Sequence, residues 1–323
     1  MVEEFEEYPL DLTELEAKYS SEAACRAYLA RLRWPGGFRC PRCESERAWP
    51  VRGLLECGDC GCQTSVTAGT IFQDTRTPLP VWFRAMWWVT TQKNGASALG
   101  LQRVLGLKSY ETAWTWLHKL RRAMVRPGRD PLTGRIEVDE TYLGGLEEGR
   151  HGRGTESKAL IVVAVQEAGR GSGRIRMRQI VDASAASLEP FLIESIAPGS
   201  VVHTDAWAGY AGVGVKGFKH EVSNIKRSGS KASKLLPRVH RVISLLKRWL
   251  MGTHQGAVSH KHLDYYLDEF TFRFNRCNSK SRGKLFYRLV QQAVAIGPTT
   301  YDQIVHPADG MKAERKPQRV VAT

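Results

Sequence analysis

The chain has 323 residues, with 47 Lys or Arg against 33 Asp or Glu and a formal charge of +14. That length suits two or three domains with a sizeable core, and that charge favours a polyanionic partner, nucleic acid before membrane. No apolar run approaches the ~18 residues of a spanning helix, and the acidic start lacks the basic and apolar regions of a secretory leader. A cytoplasmic protein without a membrane partner is therefore expected.

Charge is unevenly spread: residues 1–16 hold seven acids and no Lys or Arg, so the remainder is more basic than the total suggests. Apolar residues at helical spacing (Leu12, Leu15, Tyr19, Ala24, Tyr28, Leu29, Leu32) predict one or two short helices, stopped by Trp34-Pro35-Gly36-Gly37. This appendage, residues 1–35, carries no expected chemistry.

Residues 36–75 hold Cys40-Pro-Arg-Cys43 and Cys57-Gly-Asp-Cys60. Two such knuckles can supply four thiolates in the closed tetrahedral geometry of one structural Zn²⁺. Cys62 lies close enough to compete with Cys60, which is preferred because it repeats the C-x-x-C spacing. Cys25 and Cys277 are read as packing thiols. With no open coordination position, such a zinc holds the fold together and does no chemistry.

Residues 78–126 read as three helices. A short helix, the turn Gly106-Leu107-Lys108 and a helix led by Ser109 have the pattern of a helix-turn-helix. Ala113, Trp116, Leu117 and Leu120 make the inner stripe, leaving Tyr110, Thr112, Thr115, Lys119 and Arg122 facing out as candidate DNA contacts.

Beyond the linker 126–134 the period becomes strand-like. Strands are expected at 135–142, 158–167, 174–182, 200–205 and 218–223, with helices at 184–196, 235–251 and 260–275. This order gives an α/β domain with a mixed central sheet, placed at 132–300, followed by a basic tail at 301–323. Two strands deliver aspartates at the ends of apolar runs, Asp139 in RIEVDETY and Asp205 in VVHTDAWAGY. Paired carboxylates from separate strands suit a site in which two divalent ions drive phosphodiester chemistry. Glu137 and Glu140, which flank Asp139, are read as facing away from it.

A third ligand is expected from a later helix. In LLPRVHRVISLLKRWLM, His240, Ser244 and Lys247 share a face beside the stripe of Val239, Val242, Ile243, Leu246 and Leu250. Glu221, Asp268 and Glu269 compete for the role of third ligand, and Tyr142 for that of a covalent nucleophile. Residues 216–248 hold ten Lys or Arg against one acid. Of these, Lys226, Arg227, Lys231, Lys234, Arg238, Arg241, Lys247 and Arg248 are expected to bind DNA phosphates, with KRSGSKASK as a loop that clamps on binding.

The whole chain resembles bacterial insertion-sequence transposases with an N-terminal zinc ribbon and a DDE-superfamily, RNase H-like catalytic domain. The resemblance rests on CPRC…CGDC followed by TSVTAGTIF, then EVDETYLGG, HTDAWAGY, VHRVISLLKRWLMGTHQGAVSHKHL and YYLDEFTFRFNR, in that order across most of residues 38–276. It implies Asp139, Asp205 and a third ligand, then Lys seven residues later, which here fall on His240 and Lys247. It further implies two Mg²⁺ or Mn²⁺ ions per active site, terminal inverted repeats and target DNA as double-stranded partners, a dimer or higher oligomer on DNA, and a nucleoid-associated location. Imidazole is softer than carboxylate, so Mn²⁺ is expected to be tolerated well. A non-enzymatic DNA-binding regulator and a junction resolvase of the same fold are the competing expectations.

Overall fold

Short polar side chains begin most of the helices, as the sequence suggests. In the computed structural model, which describes residues 6–126, 128–144, 158–256 and 258–306, Asp11, Ser21, Ser97, Ser109, Ser281 and Thr300 each accept a first-turn backbone N–H. The chain divides into two units, one of residues 1–127 with 278–323 and one of residues 128–277. No described helix is long and apolar enough to cross a membrane.

The first unit starts with α1 (Leu12–Lys18) and α2 (Glu22–Arg33). A three-stranded antiparallel sheet follows, β1 (Ala48–Val51), β2 (Leu54–Cys57) and β3 (Gln63–Thr64). Arg33 Nη1 holds the chain after this sheet by donating to the carbonyls of Ser65 (3.0 Å) and Val66 (2.8 Å). Then come α3 (Leu79–Thr91), α4 (Ala98–Leu105) and α5 (Tyr110–Ala123). Trp82 of α3 stacks on Trp116 of α5 with ring centroids 3.7 Å apart. Gly106 closes α4 at φ 61°, the left-handed conformation a helix end needs and glycine adopts without strain.

The second unit is a sheet sandwiched between helices. Its strands are β4 (Arg135–Leu143), β5 (Ala159–Ala168), β6 (Gly171–Ile180), β7 (Val201–Asp205) and β8 (Lys219–Ser223), in the order β6-β5-β4-β7-β8. The first three form an antiparallel meander, while β7 pairs in parallel with both β4 and β8. This mixed sheet is consistent with the RNase H-like fold expected from the sequence. Helix α6 (Ala185–Ser195) lies between β6 and β7; α7 (Ile225–Ser228), α8 (Ala232–Leu235), α9 (Pro237–His254) and α10 (Leu263–Phe274) follow β8. The stretch expected as a loop at 226–234 is thus partly helical.

Strand alternation sorts the side chains into two cores. Ile136 and Val138 of β4, with Leu160, Val162 and Ala164 of β5, pack against Leu188, Phe191 and Leu192 of α6. On the other face, Ile161, Val163 and Val165 of β5 pack against Val239, Val242, Leu246 of α9 and Leu267, Phe270 of α10. The odd-numbered residues of β4, Glu137 and Asp139, therefore point into the layer beneath α9. Edge strand β6 is shielded by α10 and its end: Asn275 Oδ1 accepts from the Ile175 N–H (2.7 Å), and Asp264 Oδ1 from the Gln179 N–H (3.3 Å).

The α/β unit closes at Cys277, short of residue 300. Beyond it, α11 (Arg282–Ala295) and α12 (Tyr301–Val305) join the first unit, because Phe286 fills an aromatic cluster with Tyr19, Phe83 and Trp87. The basic tail expected from 301 begins with α12; residues 307–323 lie outside the described residues.

Candidate active site

Asp139 and Asp205 lie on neighbouring parallel strands. The β4–β7 pairing runs Arg135 with Val201, Ile136 with Val202 and Glu137 with His203, a constant offset that puts Asp139 level with Asp205. Both side chains leave the same pleat face, the one covered by α9. The β4–β7 ladder ends just before them, so they flank the crevice at the carboxyl end of β7, where open α/β sheets commonly bind ligands.

Each aspartate is held by a local backbone donor. Asp139 Oδ1 accepts from the Glu140 N–H (2.9 Å), and Asp205 Oδ1 from the Trp207 N–H (2.9 Å). The turn after Asp205 closes tightly against the start of α6: Trp207 Nε1 donates to the Ala183 carbonyl (2.7 Å). Gly209 makes that closure possible, since a Cβ there would stand 2.4 Å from the Ala183 oxygen.

His240, in the first turns of α9, brings Nε2 to 3.5 Å from Asp139 Oδ2. That is too long for a good hydrogen bond, and two donor atoms on one cation at about 2.1 Å each can span it. Nε2 is buried with no hydrogen-bond partner. Burial lowers the imidazole pKa, helped by Lys247 and opposed by Glu137 and Asp205, so at neutral pH the ring keeps a lone pair for a cation. Lys247 is exposed, but its ammonium pKa is lowered by partial desolvation against the pull of Asp139. Carboxylate and neutral imidazole together fit Mg²⁺ or Mn²⁺. The trio is not drawn into a tight cluster: among the described residues, only the four cysteines bring three or more such donor atoms within 4.8 Å of one another.

Two glutamates carry roles the sequence reading missed. Glu137 shares the Asp139 face, two residues away, and its carboxylate accepts from the N–H groups of Arg238 (2.7 Å) and Val239 (2.9 Å). The period of two in β4 already signals that shared face. Glu140 points to the opposite face, near the fully buried Tyr210; burial, then the charges of Asp139 and Asp205, push its carboxyl up to about 7. Two of the three rival third ligands are engaged elsewhere: Glu221 pairs with Arg135, and Glu269 with Arg273.

The expected DNA contacts divide. Arg227, Lys231, Lys234, Arg241, Lys247 and Arg248 are exposed, whereas the side chain of Lys226 lies outside what the structure describes. Arg238 is turned inward: its guanidinium donates to Glu137, Glu167 and the carbonyls of Gly169 and Gly171. Arg238 therefore braces the fold instead of facing DNA. On α5, Tyr110 is 51% exposed, Lys119 and Arg122 are half-buried, and Thr115 is 9% exposed. Thr115 is thus a core residue: α11 and α12 pack against α5 in addition to α4.

The zinc knuckles converge as expected. Cys40 and Cys60 sulfurs lie 3.6 Å apart and those of Cys43 and Cys57 3.5 Å, near the ~3.8 Å edge of a tetrahedron with Zn–S bonds of ~2.3 Å. Cys62 stands outside this group.

A model of the ISXO2-like transposase domain matches residues 131–275, and one of the transposase zinc-ribbon domain matches residues 20–63. The chain thus carries an ISXO2-like transposase domain behind a transposase zinc-ribbon domain. Together the two matches span more than half of it and support a structural zinc in the ribbon. An uncharacterized protein in the transposable element ISH50 of Halobacterium salinarum is 28% identical to this chain over 213 residues, 59% of this chain and 70% of its own length. A chain in the simian T-cell lymphotropic virus intasome bound to PP2A regulatory subunit B56 gamma aligns at 15% identity with a TM-score of 0.30, over 59% of this chain and 70% of that one. A likeness that slight bears on neither fold nor chemistry.

Proposed function

We propose that this chain is a transposase that binds the ends of an insertion sequence and catalyses metal-dependent cleavage and strand transfer into target DNA. The observation that carries this reading is the level placement of Asp139 and Asp205 on adjacent parallel strands, with His240 set over Asp139. Asp139, Asp205 and His240 would hold two Mg²⁺ or Mn²⁺ ions, which when bound activate the attacking oxygen and stabilise the leaving oxygen of a phosphodiester. The imidazole favours Mn²⁺ relative to an all-carboxylate site.

Lys247 projects one turn beyond Ser244 on the face of α9 that carries His240, where its ammonium can pair with a phosphate oxygen next to the scissile bond. Arg241, Arg248, Lys231, Lys234 and Arg227 grip flanking phosphates without reading sequence. In the first step water attacks the scissile phosphorus in line and the 3′-oxygen departs. In the second, that 3′-hydroxyl attacks a target phosphate and displaces the target's own 3′-oxygen. No covalent bond to the protein forms, so Tyr142 has no part. Tyr110, at the start of α5, is placed to meet DNA, with Lys119 and Arg122 further along the helix. Acting on two ends at once calls for at least two copies of the chain on DNA.

Purified protein incubated with labelled element ends and Mg²⁺ or Mn²⁺ tests this reading. Nicks at the ends and joined products support it; binding without nicks in either metal contradicts it.

A further inference from the structure

Glu137 begins a helix from a neighbouring strand. Helix α9 lacks a cap of its own, since Leu236 provides no side-chain acceptor and Pro237 provides no N–H. The first-turn N–H groups of Arg238 and Val239 go to one oxygen of Glu137, at 2.7 and 2.9 Å, and Arg238 Nη1 donates to the other at 3.0 Å. The carboxylate is 1% exposed. Its charge is met by the positive end of the helix and by a guanidinium, and both of its oxygens are engaged.

We propose that Glu137 is the positioning residue of this site: it fixes where α9 starts, and so where His240 stands against Asp139. The proposal rests on the metal-site reading above. Glu137 and Asp139 are one pleat repeat apart on β4, and Val239 and His240 are consecutive on α9. The two elements therefore meet at two rungs, Glu137 to the helix start and Asp139 to the imidazole. Because Pro237 and Leu236 leave the helix start without a local cap, the first rung decides the register of the second. Arg238 stiffens that rung, since it also donates to Glu167 (3.1 Å) and to the carbonyls of Gly169 (2.9 Å) and Gly171 (3.1 Å) at the β5–β6 turn. The first acid of EVDE, Glu137, thus acts on a cation through His240 and does not ligate it.

Mn²⁺ alone is the probe, titrated into the zinc-loaded full chain and followed by electron paramagnetic resonance. Asp139→Asn marks the site. Glu137→Gln, which keeps the shape but cannot serve two N–H groups and a guanidinium together, is expected to weaken Mn²⁺ binding by about tenfold, the usual cost of losing an outer-shell partner. In a His240→Ala background it is expected to cost nothing more. If Glu137→Gln fails to fold, Glu137→Asp, which keeps the charge and shortens the reach, carries the same two expectations. Equal losses in both backgrounds, or no loss in the first, overturn the positioning role. Unchanged Mn²⁺ binding in Asp139→Asn instead overturns the metal-site reading itself, and this inference with it.

Discussion

Asp139 and Asp205 stand at the same level on adjacent parallel strands, 66 residues apart in the chain. Their common pleat face puts both beneath α9, whose first turns bring His240 to Asp139. The meander β4–β6 and the crossover through α6 into β7 thus set the two acids level with each other.

Zinc should report on four cysteines and ignore the fifth. Cys57→Ser is expected to drop zinc from one ion per chain to none and to lower the unfolding temperature of the first unit, because the metal supplies folding free energy to so small a sheet. Cys62→Ser is expected to keep the metal. Metal analysis after gel filtration reads both, and loss of zinc in Cys62→Ser alone would contradict the ligand set.

The helical core of the first unit should be sensitive at Trp116, which stacks on Trp82. Trp116→Ala is expected to cost about 3–5 kcal/mol by denaturant unfolding, as for other buried large-to-small changes. A loss under about 1 kcal/mol would show that the stack contributes little.

Glu140 predicts a pH dependence. Its carboxyl is raised from the ordinary 4.5 to about 7, so the folded chain binds that proton more tightly than the unfolded chain. The contribution to stability is therefore full below pH 4.5 and lost as pH rises to about 7. Without added divalent ions, the wild-type unfolding temperature should fall across that window relative to Glu140→Gln. Parallel curves for the two proteins would contradict this.

Exposed cations near α9 should set the salt response. Replacing Arg241 and Arg248 together by Ala is expected to reduce the slope of log affinity against log salt by about 2, since each phosphate contact is worth about 0.9. Arg238→Ala should instead act on stability, given its four internal partners. A slope change for Arg238→Ala as large as that for the exposed pair would contradict the division.

Much of this was legible in the sequence because the signals are local. The C-x-x-C pairs fix the zinc ligands and Ser109 marks the start of α5, whereas Glu137, read as facing away from Asp139, shares its pleat face. Thr115, Arg238 and α11 were not legible, for a common reason. Thr115 faces outward on an isolated helix pair, but α11 and α12, far along the chain, also pack on α5 and Thr115 is buried. Arg238 reads as one of ten cations until Glu137 and the β5–β6 turn surround it. Residues 278–305 follow the α/β domain in sequence but bury Phe286 against Phe83 and Trp87. Periodicity reports which face is apolar, not which element covers it.

The most direct test is end cleavage by Asp139→Asn and Asp205→Asn beside wild type in Mn²⁺, with end binding measured in parallel. Each variant is expected to lose cleavage by more than roughly a hundredfold, beyond the cost of an outer-shell change, and to bind ends within about twofold of wild type. Cleavage that survives either substitution would contradict the account.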